Sequence, residues 1–277
     1  MRKIRMVGLD LDGTLLNDRK EFTPRCREAV AAALAQGVVV LVATGRPWMG
    51  VPEELREFPG MDYALTSNGA RILDTRSGQV LSEHLLSPGL AERALSVCAR
   101  YDTLKEVYFD GQGYAEAEKM ARVEVYHKNP NMWEYMRRTR IPVRDVTELV
   151  QKENRGLDKV QALFADMEER TRAWKDLEAE KGLELVGSLG YNIEINAAGV
   201  NKGTGLVNLG RMLGIRREEI MACGDGDNDA AMLREAGFGV AMANAEEKVK
   251  EAADYITRSN EEDGVAEAIE KFVLRGE

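Results

Sequence analysis

The chain has 277 residues, of which 44% are hydrophobic and 31% charged, the balance of an ordinary globular protein with room for about two domains. Its 47 acidic residues against 38 Lys and Arg leave a formal charge of −9, a field that repels nucleic acid phosphates and anionic membrane surfaces. Three scattered cysteines (Cys26, Cys98, Cys223) and two histidines (His84, His127) supply neither a disulfide framework nor a His-rich metal site, and fit a reducing, cytoplasmic setting. The start Met1-Arg2-Lys3 is basic, but the apolar stretch behind it meets Asp10 and Asp12 almost at once, so no secretory signal is expected. Apolar runs such as residues 38–43 are far too short to span a membrane.

Residues 4–9 are predicted to form a short buried strand. Thr23 and Pro24 then offer an N-cap and an N1 proline to a helix through Ala29-Val30-Ala31-Ala32-Ala33-Leu34, which Gly37 is placed to end. The Val-rich run 38–43 reads as a parallel strand covered on both faces. A helix around Glu53-Glu54-Leu55 and a strand at 63–66 follow. That order implies an α/β fold with a doubly wound, Rossmann-like parallel sheet.

From residue 84 to 190 the pattern changes to an α+β block. A hairpin is expected at 104–110 and 114–116 around Asp110-Gly111, then helical segments such as Met132-Trp133-Glu134-Tyr135-Met136. Strands at 159–164 and 183–186 flank a charged helix at 167–181. After Ile193-Glu194-Ile195 the α/β rhythm resumes, with a helix at 203–213, a strand at 220–223, a helix at 229–235 and a strand at 239–242. The expected organisation is one core in two segments, 1–83 and 191–277, split by an inserted domain at 84–190.

Four loops carry chemistry. Asp10-Leu11-Asp12-Gly13-Thr14 stands directly after the first strand, and ligands of open α/β sheets bind outside the carboxyl ends of strands. In extended backbone Asp10 and Asp12 share a face. Carboxylates so close repel unless a divalent metal lies between them, or one is a nucleophile and the other a proton carrier. A surface turn explains this motif equally well. Gly224-Asp225-Gly226-Asp227-Asn228-Asp229 also follows a strand, and a capping turn accounts for one of its carboxylates, not three. Such oxygen donors suit Mg²⁺, and the spacing excludes an EF-hand. Thr44-Gly45-Arg46 offers a hydroxyl and amides to an anion. Asn201-Lys202-Gly203 offers an ammonium. Taken singly, these two are a cap and a surface lysine. No P-loop and no GxGxxG after a strand occurs.

Together, and in order, these loops resemble the four motifs of haloacid dehalogenase-like phosphatases: Asp10 to Leu16, Ala43-Thr44-Gly45-Arg46, Asn201-Lys202-Gly203, and Gly224-Asp225 through Asn228-Asp229. Residues 66–70, 239–245 and 260–266 are similar to the Cof-type subgroup, whose C2B cap is inserted between the second and third motifs. Residues 200–206 look most like those of broad-specificity sugar phosphatases.

The resemblance implies that Asp10 attacks phosphorus and forms an aspartyl-phosphate; a carboxylate is already ionised at neutral pH and needs no base. It implies Mg²⁺ held by Asp10, the backbone carbonyl of Asp12 and Asp225, with Asp229 ordering the metal site from behind. The Asp12 side chain is implied to give a proton to the leaving alkoxide and to take one from the attacking water. Thr44, Lys202 and Asn228, with the amides of Leu11 and Gly45, are implied to hold the phosphoryl oxygens. The expected partner is a small phosphorylated metabolite, a sugar phosphate foremost, with no nucleic acid and no membrane, in a monomer or homodimer. Arg122, Lys119, His127 and Trp133 are cap candidates by position alone; solvated charges and a packed Trp133 are the readier readings. Arg46 could reach substrate or pair with an acidic neighbour, and Met6, Met212 and Met242 are read as packing. A phosphomutase or phosphotransferase could use the same loops. A phospho-aspartate switch would be shorter and would lack the insertion. Asp227 is the one departure from the motif pattern.

Overall fold

The computed structural model describes residues 3–277, so Met1 and Arg2 of the basic start lie outside the described residues. In chain order its strands are β1 (Met6–Leu9), β2 (Val39–Ala43), β3 (Tyr63–Thr66), β4 (Arg71–Asp74), β5 (Gln79–Glu83), β6 (Thr103–Phe109) and β7 (Gln112–Glu116). They continue with β8 (Arg140–Val143), β9 (Lys159–Phe164), β10 (Leu183–Val186), β11 (Asn192–Ala197), β12 (Ile220–Gly224), β13 (Phe238–Ala241) and β14 (Tyr255–Ile256). The chain divides into two compact units. One holds the chain up to Gly45, Val51–Glu83 and Asn201–Glu277; the other holds Arg46–Gly50 and His84–Val200.

The first unit carries a sheet in the order β14-β13-β12-β1-β2-β3-β4-β5. From β14 to β3 the strands are parallel, and β4 and β5 extend the edge antiparallel. The chain lays β1, β2 and β3 outward in one direction, then returns to lay β12, β13 and β14 on the other side of β1. The crevice at the carboxyl ends of β1 and β12 is therefore a topological switch point, the place where such sheets bind ligands. Leu9 pairs with Cys223, and the Asp10 N–H donates to the Cys223 carbonyl at 3.0 Å, which sets the two acidic loops side by side.

Local chemistry shapes the surrounding helices. Thr23 caps the helix Pro24–Ala35 by accepting from the Cys26 N–H at 3.3 Å, and Gly37 follows its end at φ 79°. Ala29, Val30 and Ala33 form its buried face. The helices Lys202–Met212 and Ala230–Glu235 supply Leu206, Leu209, Met232 and Leu233 to a cluster with Met6, Leu41, Leu65 and Ile220. Apolar cover on both faces is why the strand run at β2 has no polar alternation. Met6 and Met242 are fully buried, as packing residues should be, whereas Met212 at its helix end is 52% exposed and lies outside the buried core. Among the described residues no helix is long and apolar enough to cross a membrane.

The second unit carries a sheet in the order β10-β11-β9-β6-β7-β8, antiparallel except for the β7–β8 pair. Asp110 (φ 50°) and Gly111 (φ 75°) turn the β6–β7 hairpin, a job for two left-handed residues. Strand β11 pairs with both β9 and β10, so the break drawn at 190–191 falls inside this sheet and the unit runs on to Val200. Ile193-Glu194-Ile195 is therefore part of β11. It belongs with the sheet behind it rather than with the parallel sheet ahead.

Candidate active site

Asp10, the first residue beyond β1, is almost wholly buried, and its Oδ1 accepts from Lys202 Nζ at 2.6 Å. The same ammonium donates to Asp229 Oδ1 at 2.7 Å, and neither Lys202 nor Asp229 is exposed at all. Lys202 opens a helix capped by Asn201, whose side chain accepts from the Thr204 N–H at 2.9 Å while the Thr204 hydroxyl accepts from the Asn201 N–H at 3.2 Å. Asp229 Oδ2 accepts the N–H groups of Asp225 and Gly226 at 3.0 and 2.9 Å, which folds the second acidic loop around its own carboxylate. Asp225 Oδ1 in turn accepts from the Thr14 hydroxyl at 2.6 Å. Gly13 makes that approach possible: at φ +89° a Cβ there would lie 2.3 Å from Asp225 Oδ2.

Two carboxylates thus share one ammonium, with a third close beside them. Burial, and then the charge of Asp229, push the Asp10 carboxyl well above the usual range against the pull of Lys202. Burial and Asp229 likewise push Asp225 up to about 7. Lys202 keeps its proton above the ordinary lysine range, because Asp10 and Asp229 outweigh the burial that opposes its charge. Carboxylate oxygens of Asp10, Asp225 and Asp229 all lie within 4.8 Å of one another. An all-oxygen donor set with an excess of negative charge fits Mg²⁺. The Asp12 carboxylate is not in this group; it pairs with Lys20 Nζ at 2.8 Å and is 36% exposed. The contribution expected of Asp12 to a metal is its backbone carbonyl.

The residues expected to hold phosphoryl oxygens fall around the same strand ends. Thr44 is buried; its N–H donates to the Leu65 carbonyl at 2.9 Å and its carbonyl accepts from the Asn68 N–H at 3.0 Å. Asn228 is buried and donates to Asn68 Oδ1 at 3.3 Å, so Asn68, at a left-handed φ of 62°, links the Thr44 loop to the second acidic loop. Leu11 is buried beside Asp10, and Gly45 is the last residue of its segment of the first unit. Asp227 turns away to pair with Lys248 at the surface.

Sequence reasoning assigned no role to Thr14, Lys20, Asn68, Asn244 or Asn260. Asn244 Nδ2 donates to the Gly13 carbonyl at 2.8 Å, and Asn260 joins the chain by donating its N–H to Asn244 Oδ1 at 3.0 Å. Three of these lie in the stretches that resemble the Cof-type subgroup, which was the available signal. Within the second unit, Arg46 stacks over Tyr135 at 4.8 Å and donates to the Gly50 carbonyl at 2.8 Å. Trp133 Nε1 donates to the His127 carbonyl at 2.6 Å, Lys119 pairs with Asp102, and Arg122 is exposed. His127 is buried, and burial pulls its pKa down to about 4. The sheet of that unit also buries the pairs Arg140–Glu106 at 3.0 Å and Lys159–Glu194 at 2.6 Å, which nothing in the sequence announced.

Comparison with known proteins agrees with this geometry. Residues 7–269 match the family described as haloacid dehalogenase-like hydrolase. The 5-amino-6-(5-phospho-D-ribitylamino)uracil phosphatase YcsE of Bacillus subtilis is 33% identical, over 98% of this chain and 96% of its own. A haloacid dehalogenase-like hydrolase from B. subtilis superposes with a TM-score of 0.87 at 28% identity, covering 98% of this chain and 100% of that one. The subclass IIB sugar phosphatase BT4131 superposes with a TM-score of 0.80 at 25% identity, covering 97% and 98%. The chain therefore belongs to the haloacid dehalogenase-like hydrolase family and is a phosphatase of its Cof-type branch.

Proposed function

We propose that this phosphatase hydrolyses small phosphorylated metabolites, sugar phosphates foremost, with bound Mg²⁺ and through an aspartyl-phosphate on Asp10. The observation that carries the reading is the Lys202 ammonium shared by Asp10 and Asp229 at 2.6 and 2.7 Å, with Asp225 beside them at the switch point. Two relatives support the substrate class, one named for a phosphorylated ribityl compound and one for sugar phosphates.

In this mechanism Asp10 attacks phosphorus as a carboxylate, a form that the charge of Lys202 favours and that burial and Asp229 oppose. The bond from phosphorus to the leaving oxygen breaks as the bond to Asp10 forms. Asp12 hands the leaving alkoxide a proton, then takes one from the water that cleaves the aspartyl-phosphate. Asp10, the Asp12 carbonyl and Asp225 would hold Mg²⁺, which supplies charge stabilisation for the transferring phosphoryl group. Lys202, the Thr44 hydroxyl, Asn228 and the amides of Leu11 and Gly45 orient its oxygens, so the protein works mainly by positioning. Asp229 holds Lys202 and the loop amides in place.

The test is phosphate release from p-nitrophenyl phosphate and a panel of sugar phosphates, with Mg²⁺ or EDTA, in wild type and Asp10→Asn. Metal-dependent release that disappears with Asp10→Asn is expected. Metal-dependent release that survives the substitution removes the aspartyl-phosphate, and transfer to a second sugar instead of water would favour a phosphotransferase.

A further inference from the structure

Asp12 stands apart from the buried carboxylates, partly exposed on the loop after β1, with Lys20 Nζ 2.8 Å from its Oδ1. No motif marks Lys20. Its backbone is unusual, with φ 63°, a region that favours glycine and asparagine and that side chains with a Cβ rarely occupy.

The surroundings hold it there. The Lys20 N–H donates to the Asn17 carbonyl at 2.8 Å, and the Asn17 N–H to the Glu21 carbonyl at 3.2 Å. The Asn17 side chain, buried in the turn, accepts from the Glu21 N–H at 2.9 Å and donates to Glu21 Oε2 at 2.9 Å. Asn260 ties the turn to the far end of the chain by donating to the Leu16 carbonyl and to Asp18 Oδ1, each at 3.2 Å. Glu261 adds a bond from the Asp18 N–H at 2.6 Å. A strained lysine braced by this many contacts points to a demand on its side chain, and that side chain meets Asp12.

We propose that Lys20 is a positioning residue for proton transfer, its ammonium donating to Oδ1 of Asp12 and so holding the carboxyl group in one orientation on the loop, with the proton to be transferred on the other oxygen. The proposal rests on the reading of Asp12 as the group that protonates the leaving oxygen. Proton transfer needs the carboxyl within hydrogen-bond reach of that oxygen, and a side chain left to rotate spends most of its time elsewhere. The pair is partly solvated, so the expected effect is modest, about tenfold.

The leaving group separates positioning from general damage. An alkoxide needs a proton as its bond to phosphorus breaks, whereas p-nitrophenolate departs without one. The ratio kcat/KM reports steps up to formation of the aspartyl-phosphate, so later hydrolysis does not blur it. Lys20→Gly suits the left-handed backbone and removes the ammonium. It is expected to melt as the wild type does and to lose about tenfold in kcat/KM on a hexose 6-phosphate. On p-nitrophenyl phosphate it should stay within about twofold, and Lys20→Arg should recover most of the loss. In an Asp12→Asn background, adding Lys20→Gly should change nothing further. Equal losses on both substrates, or none on either, overturn the proposal. If Asp12→Asn discriminates between the leaving groups and Lys20→Gly does not, Lys20 alone is misassigned. If Asp12→Asn does not discriminate, the role of Asp12 fails and the proposal with it.

Discussion

Lys202→Met keeps the aliphatic stem of the side chain and removes the ammonium that Asp10 and Asp229 share at 2.6 and 2.7 Å. Both contacts lie out of solvent, with Lys202 and Asp229 wholly buried. Removing one partner of a buried ion pair costs about 3–5 kcal/mol, because the charge left behind has lost its compensation without regaining water. In a chain of this size each kcal/mol moves the melting point by about 2–4 °C, so a fall of about 10 °C is expected in EDTA. Mg²⁺ should narrow that gap, since a cation bound only by the folded state stabilises it. Turnover should suffer more. A preorganised donor to developing charge is worth about 10²–10³ in rate, and Asp10 also loses the one neighbouring charge that favours its ionised form. A loss of about 10³-fold or more is therefore expected. Differential scanning fluorimetry in EDTA and in Mg²⁺, with kcat on a sugar phosphate, measures both quantities. A Lys202→Met protein that melts with the wild type in EDTA, or turns over within about tenfold of it, refutes the reasoning.

Gly13→Ala should destabilise by about 1–3 kcal/mol and weaken Mg²⁺-dependent turnover, because the new Cβ meets Asp225 Oδ2 at 2.3 Å with φ at +89°; melting and an Mg²⁺ titration read the two effects. Asp227→Asn should leave the Mg²⁺ dependence unchanged and cost at most about 1 kcal/mol, since it breaks only a surface pair with Lys248. His127 sits neutral in the fold, its Nδ1 accepting from the Asn129 N–H at 3.3 Å, with a pKa pulled from 6.5 down to about 4. Between these values the unfolded chain binds the proton and the folded one does not, so this stabilisation is complete above pH 6.5 and is lost as pH falls toward 4. The difference in unfolding free energy between wild type and His127→Phe should therefore drift by up to about 3 kcal/mol in favour of the variant on acidification. A constant difference across that range would remove His127 as the cause.

Elements with local cues were legible. The cap and proline at Thr23-Pro24, the breaker Gly37 and the Asp110-Gly111 turn each act on neighbours a few residues away, and the corresponding helix and hairpin form where expected. Strands β3, β9 and β10 match the expected ranges because each is a short apolar or alternating run with clear flanks. The allegiance of β11 was not legible, since its pattern allows either sheet and only pairing with β9 and β10 decides. The hairpin β4–β5 escaped for a related reason. Its outer strand is largely exposed and carries little apolar signal, and its place is fixed by pairing with β3.

The four motif loops were legible because each acidic or cationic residue stands directly beyond a strand or at a helix start, where backbone groups are free and ligands gather. Their convergence follows from the crossover between β1 and β12, which no single motif contains. What the sequence could not distinguish is one carboxylate from another, and the partners do that. Asp229 has both oxygens engaged, by Lys202 on one side and two loop amides on the other, which suits a brace better than the nucleophile proposed at Asp10. Asp225 is steadied by Thr14, Asp12 is turned outward to Lys20, and the Asp10 carboxylate accepts from the shared ammonium. Lys202 and Thr14 lie far along the chain from the carboxylates they meet, and Lys20 is a residue type common on any surface. The chemistry proposed for Asp10 and for Asp12 thus depends less on the acidic motif that names them than on a lysine apiece, one buried and one strained, that sets what each carboxylate is able to do.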